Sequence, residues 1–568
     1  MASSKLAIRL YLFVSISVLA TAFQGVPVPC SEQSRLTIPA RTKLNAVSSR
    51  LSRATTSLHD WTTGVGAAAG IKVGGVSIQE SKYGGLGLVA TQTSVPPNTV
   101  LISIPSTVAL TVDSSSGPND AALVDLAVRD RKALREAPWF VQFSIYLQAL
   151  DKISSTRGLA GNVLPMRPWL DSLPRSFDTP IHWSSSSLSD LQYNHLLDSV
   201  ARQEMEWKAL YANMERIANI PLKLNYDDFV WGCECARSRA FSGAYTGSAF
   251  NPGIYAFTLL LVTAYVGLGL GTLEQAANGA GLVFCASIFK DFILPKFFKT
   301  KKYIICPLID MANHNSLEPT ADVSFEFFTD AFSLASFSTA APIDRGSEVL
   351  ISYGARSNDQ LLQYYGFVER NNPHDVYVMP PLRNWNIAAL EQACGVESFA
   401  PGRLEKLNRA GLLGSSGGSM SSKDAVATTS AAVDDSYNLA NPKGGVVVSR
   451  AAGIDPAVMQ ALRALVSTQE EWMAAGEAIG NFSEEMSPAN ERRATMAARK
   501  AMELELASKP TTLEQDMELW KRRTSTKSNL DREEELALSF RIEKKKLLQE
   551  VIDKMQFQSD SVNPNFKS

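Results

Sequence analysis

The sequence predicts a mixed α+β fold in which a helical segment interrupts a region of short strands. Runs that alternate or are rich in β-branched residues, separated by turn signals, occupy positions 64–112 and return at 303–379. Apolar residues recur every three or four positions from 121 to 224, the spacing of amphipathic helices, and the chain is again helical in pattern from 455 to 555. A chain of 568 residues has room for about two to four domains.

The individual runs define the predicted elements. In the first strand-rich part, strands are predicted at Gly75–Gln79, Leu86–Ala90 and Val100–Ile104. In the second part, the corresponding runs are Val323–Phe327 and Glu348–Ser352. Both parts are broken by turn residues, as expected for short strands.

The helical parts show apolar residues along one face. Trp139, Phe143 and Leu147 are spaced four apart, and the charged run Glu543–Lys546 stands next to apolar Leu547 in a second helical pattern. The charged run predicts a solvated helix face.

Two other segments have unusual composition. Tyr255–Gly271 and Gly279–Leu294 are almost wholly apolar, which predicts two apolar helices in a hairpin. Lys290 interrupts the second of them, so we expect the hairpin to pack on the domain or to insert shallowly; membrane contact through 255–290 is not the favoured outcome. Residues 414–448 are rich in Ser, Gly and Ala and predict a disordered insertion.

Composition and charge exclude some classes of protein. Apolar residues make up 45% and charged residues 20% of the chain, which is typical of a globular protein. The first 59 residues hold seven basic residues and one acid, so the remainder carries 48 basic and 56 acidic residues, a formal charge of −8. This body lacks the basic field of a nucleic-acid binder, and we expect no nucleic-acid partner.

The six cysteines are scattered and form no C-x-x-C pair. Cys233 and Cys235 have no second pair to complete a zinc site, and the histidines are far from them in sequence. We therefore expect free, buried thiols and no bound metal.

The first 22 residues predict a signal peptide. Lys5 and Arg9 precede the apolar stretch Leu10–Leu19, and Ala20–Ala22 is an A-x-A cleavage signature. The stretch is short for a membrane span of about 20 residues, so cleavage before Phe23 is favoured over a retained anchor.

Residues 23–60 predict a transit peptide, since positions 23–59 carry five basic residues, one acid and ten Ser or Thr. A signal peptide followed by a transit peptide is a bipartite address. The Ala22–Phe23 junction resembles that of plastid proteins in algae with secondary plastids. We expect the plastid stroma; the alternative is a secreted or other endomembrane protein with a disordered start.

Several motifs carry candidate chemistry. A glycine-rich run at Lys82–Thr91 leads into a strand rather than a helix, which does not fit a dinucleotide site. Pro307–His314 ends an apolar run in polar residues, and Ile351–Asn358 and Leu361–Val368 each hold a tyrosine beside a glycine. Each signal alone is compatible with ordinary turn or core residues.

Together and in this order the motifs resemble the SET domain. The matching stretches are the glycine-rich run, Ser238–Phe241, Asp310–His314, Ile351–Gly354 and Tyr365–Phe367. More narrowly, the chain is similar to the Rubisco large-subunit methyltransferase class, which has a large helical insertion in its SET domain. Trp169–Pro174 and Phe177–Pro180 match that insertion, and Thr511–Asp516 and Arg541–Lys544 are similar to the end of the family's helical C-terminal domain. The resemblance covers roughly residues 64–555, apart from the apolar hairpin and the Ser/Gly-rich loop.

The resemblance implies an S-adenosyl-L-methionine-dependent protein-lysine N-methyltransferase acting on a non-histone plastid protein such as Rubisco or aldolase. Its implied fold is a SET β-fold with a pseudoknot threaded by residues 361–368, a helical insertion and an all-α C-terminal domain. The implied site residues are Gly84, Gly85, Leu86, Asn313 and His314 for the cofactor, Arg239, Asp310 and Phe325 for the substrate, and Tyr353 and Tyr365 for catalysis. Two departures, Gly243 in place of a second arginine and Phe325 in place of a tyrosine, concern the identity of the substrate.

The implied chemistry needs a neutral lysine amine, whose reference pKa of about 10.4 makes it scarce near neutral pH. Burial near the cofactor's sulfonium disfavours the charged form, and the two tyrosines can orient the amine. Two alternatives stay open: a histidine methyltransferase of the same fold, and a non-catalytic SET scaffold that binds a partner protein. The leader and the acidic body weigh against a chromatin enzyme.

In chain order, the predicted segments are a signal peptide at 1–22, a transit peptide at 23–60, the first SET part at 64–120, the helical insertion at 121–235, the second SET part at 236–380 with the hairpin insert at 242–300, and a helical substrate-binding domain at 381–568 with a disordered loop at 414–448.

Overall fold

The structure is a computed structural model. It describes residues 43–113, 117–118, 121–152, 166–243, 302–326, 329–338, 341–396, 399, 401–413, 445–526 and 531–561, together with positions 263, 264 and 268.

The described helices are most numerous in the middle and at the end of the chain. They are α1 Lys43–Thr63, α2 Val65–Ala68, α3 Ala121–Ala127, α4 Arg131–Glu136, α5 Trp139–Lys152, α6 Arg167–Ser172, α7 Ser185–Ser189, α8 Asn194–Ile217, α9 Tyr226–Arg239, α10 Asn358–Tyr365, α11 Ile387–Cys394, α12 Pro401–Arg409, α13 Pro456–Leu465, α14 Gln469–Ala474, α15 Pro488–Ala507, α16 Leu513–Thr526 and α17 Arg532–Ser561.

The described strands are short and fall mainly into two groups of the chain. They are β1 Lys72–Val73, β2 Val76–Glu80, β3 Leu86–Ala90, β4 Ser94–Val95, β5 Val100–Pro105, β6 Leu110–Asp113, β7 Gly117–Pro118, β8 Phe241–Gly243, β9 Lys302–Ile305, β10 Asn313–His314, β11 Ala321–Glu326, β12 Ala331–Ser336, β13 Ile343–Asp344, β14 Leu350–Ile351, β15 Val376–Met379, β16 Val446–Ser449 and β17 Gly453–Ile454.

The two strand-rich parts form common sheets. One sheet has the order β1-β5-β12-β11 and another β7-β6-β9-β8, while β4 pairs with β13. In the first sheet, Ile104 pairs with Phe332 across β5 and β12. The predicted α+β arrangement, with strands on both sides of a helical insertion, is therefore confirmed.

The insertion packs through closely crossing helices. Helices α5 and α9 touch where Gly232 faces Ser144, and a Cβ at Gly232 would lie 2.4 Å from the Ser144 hydroxyl. That hydroxyl donates a hydrogen bond of 2.8 Å to the carbonyl of Phe229 on α9. The last residue of α9 is Arg239, one of the candidate site residues, so this crossing helps to fix its position.

The C-terminal region is helical, as predicted, with one addition. Strands β16 and β17 form a hairpin that joins β15 in a three-stranded antiparallel sheet. The predicted all-α domain therefore contains a small sheet. The predicted disordered loop, 414–448, also ends too late, because Val446–Ser449 pairs with Val376–Met379; the rest of that loop up to 444 lies outside the described residues.

Buried ions join the C-terminal helices to the earlier part of the chain. Lys544 on α17 is 2% exposed; its ammonium group donates to Asp359 on α10, to Asp375 at 2.8 Å and to the carbonyl of Val376. Lys545 is also buried and donates to Asp516 on α16. The prediction of a solvated face at 543–546 was wrong, because the partners come from distant parts of the chain.

Helix α1 corrects the predicted transit peptide at 23–60. Ala54, Leu58 and Trp61 on α1 are 8%, 0% and 4% exposed, and the last two belong to the main hydrophobic core. Their spacing of four and three is that of a helix face, but the Ser-rich, basic composition of the segment concealed it. The C-terminal part of the predicted peptide is a structural part of the domain.

The predicted signal peptide and nearly all of the apolar hairpin at 242–300 lie outside the described residues. Within the described part of the chain, no helix has the length and apolar character needed to cross a membrane.

Candidate functional site

The glycine-rich segment forms a tight, open turn between β2 and β3. The N–H of Ser81 donates to the carbonyl of Gly85 at 2.9 Å, and Gly84 and Gly85 adopt φ of 98° and 69°. A Cβ at either glycine would meet no atom within 4 Å. The backbone from Gly84 to Leu86 is therefore accessible to a ligand, and positive φ favours glycine there.

A buried carboxylate ties this turn to the centre of the site. Glu348, just before β14, accepts hydrogen bonds from the Ser81 hydroxyl at 2.8 Å and from Nδ2 of Asn313 at 2.6 Å. Gly87 leaves the room for it, since a Cβ there would lie 2.3 Å from Oε1 of Glu348. Nδ2 of Asn313 also donates to the carbonyl of Leu86 at 3.3 Å. Both N–H groups of that amide are engaged, so Oδ1 is the atom it can offer to a ligand.

His314 has a different environment from Asn313. Its Nδ1 accepts the N–H of Tyr353 at 3.0 Å, so the proton of the neutral ring is on Nε2, which faces Ser316 at 2.9 Å and Glu369 at 3.5 Å. Burial alone would raise the pKa of Glu369, but hydrogen bonds from His314 and Ser316 outweigh it and hold that pKa below its usual value. The His314 side chain is 1% exposed. Its backbone, rather than its ring, is what it can offer to a ligand.

Two tyrosines stack beside this histidine. The Tyr353 ring lies 4.8 Å from that of His314 and 5.1 Å from that of Tyr365, nearly parallel to both. The Tyr353 hydroxyl donates to the carbonyl of Ala312 at 2.9 Å. Burial raises the pKa of Tyr353, and Tyr365 adds to the rise while Arg239 opposes it. Tyr353 therefore stays a neutral hydroxyl near neutral pH.

Tyr365 is held at the end of α10. Ser357 caps this helix in a capping box with Gln360, and Gly366 ends it with a φ of 73°. A Cβ at Gly366 would lie 3.3 Å from the backbone of Asp178, so the chain turns in a tight space directly after Tyr365.

Arg239 and Asp310 form a buried ion pair. Nη1 of Arg239 donates to Oδ2 of Asp310 at 2.8 Å, and the indole N–H of Trp169 donates to the same carboxylate at 3.2 Å. Burial raises the pKa of Asp310, although Arg239 opposes this. The Asp310 side chain is fully buried and that of Arg239 is 18% exposed. Asp310 thus orients Arg239, and Arg239 is the member of the pair that can reach a ligand.

Most of the predicted site residues are joined by an unbroken series of contacts. The series runs from the glycine turn through Asn313 and His314 to Tyr353 and Tyr365. Arg239 lies close enough to Tyr353 for its charge to oppose the rise in the pKa of that tyrosine. For Phe325, the ring contact found among the described residues is with Phe332, 5.0 Å away on β12, and both Phe325 and Tyr353 pack against the same hydrophobic core.

Sequence reasoning missed Glu348, Ser81, Glu369 and Trp169. Glu348 directly precedes three apolar residues at a buried strand, an unfavourable position for a charge without a partner, and this signal could have found it. Glu369 and Trp169 act through partners 53 and 141 positions away, which no local pattern reveals.

The thiols are not part of this site. Among the described cysteines, Cys233, Cys235 and Cys306 are free and buried, and burial raises the pKa of each. Cys394 is partly buried, with a pKa raised to about 11. The expected free thiols are confirmed for these four, and they are unreactive near neutral pH.

Comparison with known proteins identifies the fold as a SET domain of the Rubisco large-subunit methyltransferase type. A solved structure described as the SET domain of LSMT bound to lysine and AdoHcy superposes with a TM-score of 0.52 at 17% identity, covering 90% of this chain and 93% of that one. Residues 398–548 match the Rubisco LSMT substrate-binding family. The predicted resemblance is therefore confirmed.

Two similar proteins are chloroplastic methyltransferases by name. The [fructose-bisphosphate aldolase]-lysine N-methyltransferase of Arabidopsis thaliana is 24% identical over 226 residues, which are 38% of this chain and 35% of that protein. The Rubisco large subunit N-methyltransferase of Pisum sativum is 23% identical over 394 residues, 67% of this chain and 61% of that protein. The matches thus span about a third and three fifths of those proteins.

Proposed function

We propose that this protein is an S-adenosyl-L-methionine-dependent protein-lysine N-methyltransferase that acts on a plastid protein. The observation that carries the proposal is the continuous series of contacts from the open glycine turn through Asn313 and His314 to the stacked Tyr353 and Tyr365. The similarity to chloroplastic lysine methyltransferases supports both the reaction and the plastid location.

The residues present fit the cofactor. The glycine turn leaves free space where side chains would stand, and Oδ1 of Asn313 can accept a hydrogen bond. Gly84, Gly85 and Leu86 would offer backbone groups, Asn313 its amide oxygen, and His314 its backbone. When bound, S-adenosylmethionine supplies a methyl group on a sulfonium, which a neutral amine attacks in line. Glu348 would hold the turn and Asn313 at a fixed separation, so the binding groups are preorganised.

The tyrosines would orient the incoming amine. Tyr353 keeps its proton because burial raises its pKa, so it acts as a hydrogen-bonding group rather than as a general base. The lysine must lose its proton before attack, and its reference pKa is about 10.4. Burial of the amine beside the stacked, partly buried rings of Tyr353 and Tyr365 would favour its neutral form. Positioning then supplies most of the rate enhancement.

Several finer assignments belong to this proposal. Arg239, oriented by Asp310, and Phe325 would line the substrate side. The chain would reach the stroma by the bipartite leader, and Rubisco and aldolase are the first substrates to test. Contact of residues 255–290 with a membrane is not part of the proposal.

The test is incubation of the purified full chain with labelled S-adenosylmethionine and a stromal extract, followed by mass spectrometry of the labelled protein. We expect label on lysine in one or a few proteins. Label on histidine would favour the histidine methyltransferase instead. Cofactor binding in calorimetry with no transfer to any protein would favour the non-catalytic scaffold and overturn the proposal.

A further inference from the structure

A small pocket lies where the loop after Tyr365 meets the C-terminal helices. We call it the junction pocket. It is an open depression whose polar lining comes from Arg370, Lys521, Ser539, Glu543 and Lys546. Arg370 is five residues from Tyr365, so the two Cα atoms are at most about 18 Å apart. A protein that presents a side chain to the tyrosines can therefore reach the pocket with a neighbouring part of its surface.

The arrangement of Arg370 leaves it able to bind a ligand. Its guanidinium lies 4.9 Å above the centre of the Trp520 ring on α16. A stacked guanidinium keeps the N–H groups at its edge available for a carboxylate. Trp520 and the neighbouring Ile542 provide an apolar wall for the stem of a bound side chain.

The pocket holds more positive than negative charge. The acid in its lining, Glu543, is 2% exposed. Its carboxylate accepts the N–H of Asn371 at 2.8 Å and forms ion pairs with Lys546 at 3.2 Å and Arg450 at 3.5 Å. Its charge is thus balanced by groups around it. The ammonium group of Lys521 has no hydrogen bond or ion pair with any residue that the structure describes, and it is exposed.

We propose that the junction pocket binds an acidic side chain, Asp or Glu, of the protein substrate and so selects which lysine is presented to Tyr353 and Tyr365. The inference rests on the proposed function and adds the chemistry of the partner. Arg370 and Lys521 would bind the carboxylate, and the Ser539 hydroxyl is a further donor within the lining. The excess of positive charge in the pocket lining attracts an acidic group and repels a basic one, which gives selectivity.

The experiment compares Lys521→Glu and Arg370→Met with the wild-type full chain, using the stromal protein labelled above as substrate. The matched control is Lys500→Glu, which makes the same charge reversal on α15, outside the pocket lining. We expect KM for the protein substrate to rise about tenfold in both pocket variants and to change less than twofold in the control. The Kd for S-adenosylmethionine and the rate on a short lysine peptide without acidic residues should be unchanged in all of them.

A charge exchange gives the decisive result. In the substrate, an acidic residue within about 18 Å of the methylated lysine is replaced by Lys. This replacement should raise KM for the wild-type enzyme and restore activity with the Lys521→Glu variant. Unchanged KM in both pocket variants would overturn the inference while leaving the proposed function intact. Absence of methyl transfer by the wild type, to protein and to peptide alike, would overturn both.

Discussion

Tyr353 makes contacts through both its ring and its hydroxyl, and a substitution by Phe removes only the hydroxyl contact. Its ring stacks between His314 and Tyr365, and its hydroxyl reaches the Ala312 carbonyl. We expect Tyr353→Phe to fold normally, because the ring packing is kept, and to lose roughly tenfold or more in kcat, because the amine loses an orienting hydroxyl. Steady-state kinetics with the labelled substrate measures this. Near-normal turnover would contradict the assignment.

The same variant tests the protonation state. Since the raised pKa of Tyr353 keeps it neutral, the substrate amine alone should set the pH dependence. The rate at limiting substrate should rise about tenfold per pH unit from pH 7 to 9, below the lysine pKa of about 10.4, in both wild type and Tyr353→Phe. Loss of this slope in the variant would identify the tyrosine as the base.

Glu348 accepts hydrogen bonds from both parts of the proposed cofactor site, the glycine turn and Asn313. In Glu348→Gln, an amide replaces the carboxylate, so the Ser81 hydroxyl and the Asn313 amide no longer donate to a charged acceptor. We expect S-adenosylmethionine to bind about tenfold to a hundredfold more weakly, the loss of a hydrogen bond to a charged group of about 1.5–3 kcal/mol. Calorimetry measures this, with the exposed Glu318→Gln as control. Equal Kd values for the two variants would refute the role.

At the scale of elements, α17 shows how a charged helix face can be interior. Burial opposes the charge of Lys544, but Asp359 and Asp375 outweigh it and hold its pKa above its usual value. We expect Lys544→Met to lose about 3–5 kcal/mol of unfolding free energy, because two carboxylates are left buried without their cation. Urea unfolding measures the loss. Lys500→Met, which removes a half-exposed ammonium on α15, should change stability by less than about 0.5 kcal/mol.

A second substitution separates unpaired charge from lost packing. Adding Asp359→Asn to Lys544→Met should recover part of the stability, because one of the two buried carboxylates is then neutral. No recovery would mean that the methionine itself is poorly accommodated.

The elements show what a sequence can and cannot reveal. The strand Leu86–Ala90 was predictable because its short apolar run after turn residues is a local signal, and the ordered motifs indicated the residues of the candidate site. The interior position of Lys544 was not predictable, because its partners lie 169 and 185 positions away. The same limit applies to Glu348, whose partner Ser81 is 267 positions distant. Local periodicity encodes elements, whereas pairing of buried charges depends on the completed fold.

For the whole molecule, helix α1 is a structural part of the folded domain. Leu58 and Trp61 are fully or nearly buried, so a chain starting at residue 65 should lose several kcal/mol of stability compared with one starting at 43. Thermal unfolding measures the difference. Leu58→Ala should cost about 2–5 kcal/mol, and the exposed neighbour Ser57→Ala almost nothing. A mature protein whose mass excludes Ala54 would contradict the assignment of α1 to the domain.

The pairing of β5 with β12 also has a consequence for how the chain acquires its structure. Ile104 meets Phe332 about 230 positions later, so at 5–20 residues per second the ribosome needs on the order of 10–50 seconds between making the two strands. During that interval, and again after any passage through a membrane pore in extended form, β5 has an unpaired edge. Such edges recruit other chains. We therefore expect the yield of folded protein in a cell-free translation to rise when a holdase chaperone is added.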